Sequence, residues 1–166
     1  MTDDLPNFGW TSSTAEWEGK DMTKEIHVGF NFVDYDVAKT LGLELVEGRD
    51  FSREFLADAE SGYLVNEELV KLMELDPVVG RPFKEFGKAG RIVGVFKNTH
   101  FKPLTNQINP LYFQLNPERI NHLVIRVPTE NMATTIQFTK DTWEEIVPMY
   151  PFEYRFVDED FDRAYT

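Results

Sequence analysis

The stretch Arg91-Ile92-Val93-Gly94-Val95-Phe96-Lys97 holds the longest apolar run of the chain. Its central residues are apolar on both alternating faces, which is typical of a strand that is covered above and below. Gly94 interrupts the run and indicates a close backbone approach or a β-bulge at that point. The sequence therefore predicts a central strand over 91–97, and the other elements are placed around it.

Segments on both sides of this strand have the periodicities of strands and helices. Residues 26–33 alternate apolar and polar side chains, and residues 131–147 carry an apolar stripe at helical spacing. We predict an α+β fold with mixed sheets, about seven strands and three helices. The predicted strands are 26–33, 43–46, 63–65, 91–97, 111–115, 122–127 and 152–156, and the predicted helices are 35–41, 66–76 and 131–147.

The helix ends carry recognisable signals. Asp34 is predicted to cap the first helix, and Gly42 is predicted to end it. Asn66 is predicted to cap the second helix, with acidic residues in its first turn where the helix dipole favours anions. Residues 1–24 are polar apart from Trp10 and Trp17, and we expect a loosely ordered lead-in there.

Composition and charge restrict the class of protein. The 166 residues are 42% hydrophobic and 14% aromatic, which is enough for a folded core. The net charge of −12 opposes binding to nucleic acid, because a polyanion would be repelled. Residues 61–130 are the exception, with nine basic and seven acidic residues. This middle part is the one that could contact an acidic surface.

Several chemical classes lack their residues or motifs. The chain has no cysteine, which excludes disulfides, thiolate metal sites and cysteine nucleophiles but does not fix the compartment. It has no apolar run near the roughly 20 residues of a membrane helix. The acidic residues after Met1 do not resemble a signal peptide.

No catalytic or cofactor-binding motif is present. The histidines His27, His100 and His122 are far apart, and the sequence has no HExxH, G-x-S-x-G, S-x-x-K, P-loop or G-x-G-x-x-G pattern. The acidic stretch 158–162 lacks the Gly and Glu of an EF-hand, and we expect an exposed tail. We therefore predict no catalytic residue, no cofactor and no metal, although an acidic chain leaves a glycosidase carboxylate pair open.

One cluster follows the central strand. Lys97, His100, Phe101 and Lys102 lie where the strand passes into a loop, which is a common position for binding residues. The functional interpretation is a contact for an anion or a partner protein. The alternative is a basic turn that offsets nearby acids, and the sequence leaves both open.

An ordered series of segments carries a family resemblance. The segments are Val33-Asp34-Tyr35, Leu43-Glu44-Leu45-Val46-Glu47-Gly48-Arg49-Asp50-Phe51, Val65-Asn66-Glu67, Gly80-Arg81-Pro82-Phe83 and Ile92-Val93-Gly94-Val95. In order and spacing, the chain from about residue 15 to 166 resembles the extracytoplasmic (periplasmic core) domain of MacB/FtsX-type ABC-transporter permeases. The segment 97–101 departs from the family, which has Lys-Asp-Phe-His-Phe where this chain has Lys-Asn-Thr-His-Phe.

The resemblance implies a function without catalysis. Such a domain lies between the first two of four membrane helices, on the periplasmic side of the inner membrane. An ABC ATPase, fused or separate, drives the permease as a homodimer or heterodimer, and some members act as mechanotransmitters. A periplasmic protein or peptide is an expected partner, and nucleic acid is not.

The resemblance also implies a division into lobes. Residues 25–117 would be an inserted second lobe, and residues 118–166 would be part of a porter-like βαβ lobe. The partner strand and helix of that lobe would precede Met1, and a membrane helix would follow the last residue. We therefore expect the strand–helix–strand unit at 121–157 to lack neighbours and to present an open edge.

Two other functions remain as alternatives. A stand-alone periplasmic ligand-binding domain would need a concave apolar pocket with a few convergent polar groups. A hydrolase of unrecognised type would need activity without any of the motifs above.

Overall fold

A computed structural model of the protein describes residues 11–99 and 108–157. Their strands form one sheet and helices occur between and after these strands along the chain, which confirms the α+β class. Within the described ranges the strands are β1 Thr11–Ser13, β2 Glu16–Trp17, β3 Val28–Val33, β4 Leu45–Gly48, β5 Gly62–Asn66, β6 Pro82–Glu85, β7 Lys88–Phe96 and β8 Leu111–Leu115. The α-helices are α1 Val37–Leu41, α2 Leu56–Ser61, α3 Glu67–Met73 and α4 Met132–Ile146.

β7 is the central strand, as its two-sided apolar run predicts. The sheet order is β1-β3-β8-β5-β7-β6-β2, and β4 pairs with β7 outside this path. β5 runs parallel to β7, whereas β4 and β6 run antiparallel to it. The first half of β7 thus pairs with β6, its second half pairs with β4, and β5 lies along the other side.

The segment before β3 connects the two edges of the sheet. β1 pairs with β3 at one edge, and β2, which begins three residues after β1 ends, pairs with β6 at the other edge. The sheet must curl for such a short connection to reach both edges. Ala15 and Trp17 are buried there. Residues 11–13 and 16–17 of the lead-in predicted over 1–24 thus form two short strands, and residues 1–10 lie outside the described ranges.

Two apolar clusters occupy the two faces of the sheet. Alternate residues of β5 show the division, since Tyr63 belongs to the first cluster and Leu64 to the second. Leu69 and Met73 of α3 belong to the first cluster, where aromatic rings pack edge to face, and α1 belongs to the second. Alternation along buried strands thus accounts for both layers.

The start of α1 differs from the prediction. Asp34 does not cap the helix; its Oδ1 instead accepts a hydrogen bond from the N–H of Tyr35. The N–H of Ala38 donates to Oδ2 of Asp50 at 3.0 Å, so a residue twelve positions away satisfies the helix end. Gly42 ends α1 with a positive φ of 71°, as predicted.

The chain divides into two compact units, Met1–Val124 and Ile125–Thr166. In the second unit α4 forms where the helical stripe predicts it. The strands predicted at 122–127 and 152–156 are wrong: His122 makes an isolated bridge, and 150–156 is irregular. A strand requires a partner for its backbone groups, and no described residue pairs with either segment as a strand.

Side chains of the second unit are exposed. Among the described residues, α4 has no buried one, and Phe138 and Ile146 are 70% and 72% exposed. Trp143 packs near Phe152, with ring centroids 6.5 Å apart, and its Nε1 donates to the carbonyl of Tyr150. In the described ranges no helix has the length and apolar character needed to cross a membrane.

Candidate functional site

The predicted contact residues follow the carboxyl end of β7. Lys97 comes directly after the last residue of the strand and is exposed. β5 ends and β8 begins at the same edge, because β5 runs parallel to β7 and antiparallel to β8. His100, Phe101 and Lys102 lie outside the described residues, so their role as contacts stays a prediction.

Lys97 pairs with an acid on the neighbouring chain segment. Its N–H donates to the carbonyl of Glu44 at 2.8 Å, and its Nζ lies 3.1 Å from Oε2 of Glu44. Both side chains are more than half exposed, so the pair contributes only about 0–1 kcal/mol to stability. For Lys97 the geometry fits a basic turn that offsets a local acid, but such a weak pair also leaves the ammonium accessible to a partner.

The loop after Lys97 is fixed at its start by the first turn of α3. Oδ1 of Asn98 accepts from the N–H of Glu68 at 3.0 Å, and the N–H of Asn98 donates to Oε2 of Glu67 at 2.8 Å. Nδ2 of Asn98 donates to Oε2 of Glu68 at 3.3 Å. The first of these bonds satisfies a helix N–H group that has no partner within the helix, and the other two attach Asn98 to the side chains of the first turn.

The loop is fixed at its other end by Asn66. Oδ1 of Asn66 accepts from the N–H of Leu69 at 3.0 Å, as the predicted cap requires, and also from the N–H of Leu111 at 2.9 Å. Its Nδ2 donates to the carbonyl of Asn109 at 2.9 Å. Since Asn66 is 2% exposed, its amide joins α3, β8 and the loop end inside the protein.

Both ends of the loop that carries the predicted contact residues are therefore attached to residues 66–69. Sequence analysis identified Asn66 as a helix cap but did not identify its bonds to the loop end and β8. The local signal was the pair of asparagines, 98 and 109, that flank the loop. Neither asparagine indicates its partner, because the bonds join residues 30 and 43 positions apart.

The Gly48-Arg49-Asp50-Phe51 segment is held by an ion pair between the partly exposed Arg49 and the buried Asp58. The guanidinium of Arg49 binds the carboxylate of Asp58 through two hydrogen bonds, Nη2 to Oδ1 at 2.9 Å and Nη1 to Oδ2. Asp58 is 2% exposed, and its Oδ2 also accepts from the N–H of Ser52 at 3.0 Å. Arg49 lies over the ring of Phe55, 3.8 Å from its centroid. This cluster connects α2 to the end of β4.

Gly48 and Gly94 allow β4 and β7 to approach closely. A Cβ at Gly94 would collide with the backbone carbonyl of Arg49, and a Cβ at Gly48 would collide with that of Val93. The pairing of β7 shifts register near this point with both β4 and β5. Gly94 thus marks both a close approach and bulged pairing, which are the two features that the sequence suggests.

Burial shifts the pKa of two groups in the first unit. Burial raises the pKa of Asp50 above its usual value, and the nearby charge of Asp36 adds to the shift, although backbone N–H groups oppose it. Burial also raises the pKa of Tyr63 to about 12, with a smaller contribution from the negative charge of Glu85. The hydroxyl of Tyr63 donates to the carbonyl of Lys88 at 2.9 Å, so it has a structural role.

A shallow pocket of about 390 Å³ lies beside the β6–β7 turn. Its lining is largely polar. A stand-alone periplasmic ligand-binding domain would instead require a concave apolar pocket with a few polar groups. In residues 11–99 and 108–157 no group of three or more His, Asp or Glu is placed to hold a metal ion. The lining residues of the pocket are Thr14, Glu16, His27, Lys84, Glu85, Phe86 and Gly87.

Comparison by sequence and by structure gives different results. No family model and no curated protein matches the chain. The periplasmic region of MacB from Actinobacillus actinomycetemcomitans matches in structure with a TM-score of 0.62 and 11% identity, over 93% of this chain and 72% of that one. The fold is therefore shared although the sequences have diverged.

Two further solved structures have the same fold. The extracellular domain of the noncanonic ABC-type transporter YknZ from Gram-positive bacteria matches with a TM-score of 0.57 and 10% identity, over 82% of this chain and 71% of that one. A domain of a protein described as a permease from Porphyromonas gingivalis matches with a TM-score of 0.52 and 16% identity, over 93% and 79%. This chain has the fold of extracytoplasmic domains of ABC-transporter permeases.

Proposed function

We propose that this chain is a non-catalytic extracytoplasmic domain of an ABC-transporter permease. In this role it couples ATP-driven motion to the handling of a substrate or partner outside the inner membrane. The observation that carries the proposal is the fold shared with the MacB periplasmic region over 93% of the chain. The absence of a catalytic motif from the sequence is consistent with a mechanical role.

The parent protein would reside in the inner membrane, with this domain on its periplasmic side. A separate or fused ABC ATPase would hydrolyse ATP, and the permease would act as a homodimer or heterodimer. The first unit suits the transmission of force, because β7 pairs with three strands and the ion pair between Arg49 and the buried Asp58 joins α2 to the end of β4. Such paired and buried elements move as a body rather than deform.

The second unit would be part of the porter-like lobe, with residues 25–117 forming the inserted lobe. The exposed apolar side chains of α4 support this division, because a helix of a folded domain normally buries one face. Another segment of the permease would cover that face.

The loop after β7 is the proposed contact for a periplasmic protein or peptide, through Lys97, His100, Phe101 and Lys102. Residues 97–110 contain two lysines and no acidic residue, in a chain whose net charge is −12. Asn66 and Asn98 attach both ends of this loop to α3, so a contact made by the loop would act on the sheet. An acidic surface is the partner that this charge fits.

Purification of the full-length parent protein from membranes of its host tests the proposal. We expect an ATP-hydrolysing subunit or domain to accompany it. Recovery of the protein from the soluble fraction, with no ATPase present, would contradict the proposal.

Charge reversal tests the contact residues separately. The double variant Lys97→Glu and Lys102→Glu is expected to reduce transport-linked function while the complex still assembles. The matched control is Lys24→Glu with Arg53→Glu, whose side chains are 71% and 67% exposed elsewhere on the surface. Equal activity of the two double variants would remove the loop from the proposal and leave the permease assignment intact.

A further inference from the structure

Helix α3 is too short to be stable by itself. It has seven residues, and it ends at Glu74 in a left-handed conformation with a φ of 53°. Isolated helices shorter than about 12 residues are marginal in water. Leu69 and Met73 are its buried side chains. The helix therefore depends on the packing of one face and on the groups that bind its first turn.

Four backbone N–H groups around the first turn have side chains as their partners. Within the helix, the N–H of Glu68 donates to Oδ1 of Asn98 at 3.0 Å, and that of Leu69 donates to Oδ1 of Asn66 at 3.0 Å. Outside the helix, the N–H of Asn98 donates to Oε2 of Glu67 at 2.8 Å, and that of Leu111 donates to Oδ1 of Asn66 at 2.9 Å. Three side chains thus bind backbone groups of α3, of the segment after β7 and of β8.

The bonds between Asn98 and α3 run in both directions. The side chain of Asn98 accepts from the helix, and its backbone donates to the side chain of Glu67. This is the reciprocal pattern of a capping box, here formed by residues 30 and 31 positions apart. Unwinding the first turn would therefore break both bonds together.

The bonds of Asn66 extend this dependence to β8. One oxygen atom accepts from the N–H groups of both Leu69 and Leu111, and both bonds are buried. Asn66 is 2% exposed, so its amide cannot turn toward solvent while the structure around it stays closed. A buried N–H group without a partner is costly, which favours losing the two bonds together over losing one of them.

We propose that the first turn of α3, Asn98 and the start of β8 form one cooperative unit that opens as a whole. We call this unit the α3 clasp and define it by Asn66, residues 67–69, Asn98 and Leu111. In the open state the first turn is unwound and the four N–H groups are exposed, while β5 and β7 stay paired. Any contact that displaces Asn98 would uncap α3, which makes the clasp an order–disorder element at the edge where β5 and β7 end. The inference rests on contacts within the first unit and does not depend on the permease proposal.

Hydrogen exchange of single amides, measured by NMR in the 166-residue chain, tests the clasp. Asn98→Ala removes the acceptor of one of the four N–H groups, that of Glu68. A cooperative clasp predicts that exchange at 68, 69, 98 and 111 accelerates at least about tenfold, although the last three keep their acceptors. The amides of Tyr63 to Val65 in β5 should change less than about twofold. Acceleration that omits residue 111, equal acceleration in β5, or no acceleration would each overturn the proposal.

Variants of Glu67 test the clasp from the helix side. Glu67→Ala removes the acceptor for the N–H of Asn98 and is expected to accelerate exchange at the same four positions. Glu67→Gln keeps an acceptor oxygen and should accelerate exchange less. Asn116→Ala is the control, because its side chain caps no helix, and should leave the four rates unchanged. An effect of Glu67→Ala on residue 98 alone would show that the bonds open independently and would refute the clasp.

Discussion

Single side chains with several partners determine how the β7 loop is held. The amide of Asn66 makes three hydrogen bonds, two to buried backbone N–H groups and one to the carbonyl of Asn109. Asn98 makes three more at the start of the loop. The side chain of Asn66 caps a helix, as asparagine commonly does, and it also binds the start of a strand and the end of a loop.

Asn66→Ala is expected to destabilise the protein by about 2–4 kcal/mol, because it removes a helix cap and leaves buried backbone groups without their partner. Asn116→Ala is the control, since its side chain caps no helix, and should change stability by less than about 0.5 kcal/mol. Urea unfolding measures both. Equal losses in the two variants would show that the Asn66 bonds contribute little.

A comparison of alanine variants at Gly19 and Gly48 distinguishes the cost of backbone strain from the cost of a steric clash. Both have positive φ, 82° and 71°, but a Cβ at Gly19 would meet nothing within 4 Å, whereas one at Gly48 would meet the Val93 carbonyl. Gly19→Ala is expected to cost about 1 kcal/mol and Gly48→Ala about 2–5 kcal/mol. Thermal and urea unfolding give the comparison, and a smaller loss at Gly48 would contradict the proposed close approach.

The raised pKa of Tyr63 predicts that the free energy of unfolding decreases at alkaline pH. Its pKa is about 12 in the folded protein and near 10 when the chain is unfolded. The folded state keeps its proton longer, so this contribution to stability is complete below pH 10 and is lost as pH rises from about 10 to 12. In Tyr63→Phe this part of the pH dependence should disappear, whereas in Tyr150→Phe, which alters an exposed ring, it should remain. Denaturant unfolding between pH 9 and 11 would measure the difference, and identical slopes would contradict it.

At the level of elements, the sequence predicts those helices and strands whose own pattern of apolar residues shows which side chains they bury. The apolar run of β7, the alternation in β3 and the stripe of α4 are present where the sequence places them. β2 and β6 were not predicted, because two to four residues acquire strand structure only by pairing with distant segments. The cap of α1 was misassigned for the same reason, as Asp50 lies twelve residues away.

The candidate site was predictable to a similar degree. Lys97 follows from its position at the end of a central strand, and Asn66 follows from the capping rule. The pocket beside the β6–β7 turn combines residues from three separate segments, 14–16, 27 and 84–87, which meet because the sheet curls. No local pattern contains that information.

The helix of the second unit, α4, buries none of its side chains. Helix α4 has 15 residues, none of them buried, and isolated helices of this length are marginal in water. Backbone amides of α4 are therefore expected to exchange hydrogen much faster than those of β5, whose residues are all buried. Hydrogen exchange followed by mass spectrometry tests this in the 166-residue chain. Equal protection of the two elements would contradict this expectation and show that α4 is as well protected as the sheet.

At the level of the whole molecule, the fold persists at 10–16% identity to three solved structures. The positions that the geometry constrains are few, such as Gly48, Asp58, Asn66 and Gly94. A sequence search has little to detect when so few positions are fixed, and no family model matched. The order of the segments that contain Gly48, Asn66 and Gly94 nevertheless allowed the resemblance to be identified.

The absence of cysteine from the chain makes its location directly measurable. Leu56→Cys places one thiol at a side chain that is 83% exposed, and Leu64→Cys places one at a fully buried position as the control. A membrane-impermeant maleimide would be added to intact spheroplasts that express the otherwise cysteine-free full-length parent protein. As an extracytoplasmic domain, the chain should react at position 56 before the membrane is permeabilised and at position 64 only after denaturation. Reaction at position 56 only after permeabilisation would place the domain in the cytoplasm and contradict the proposed function.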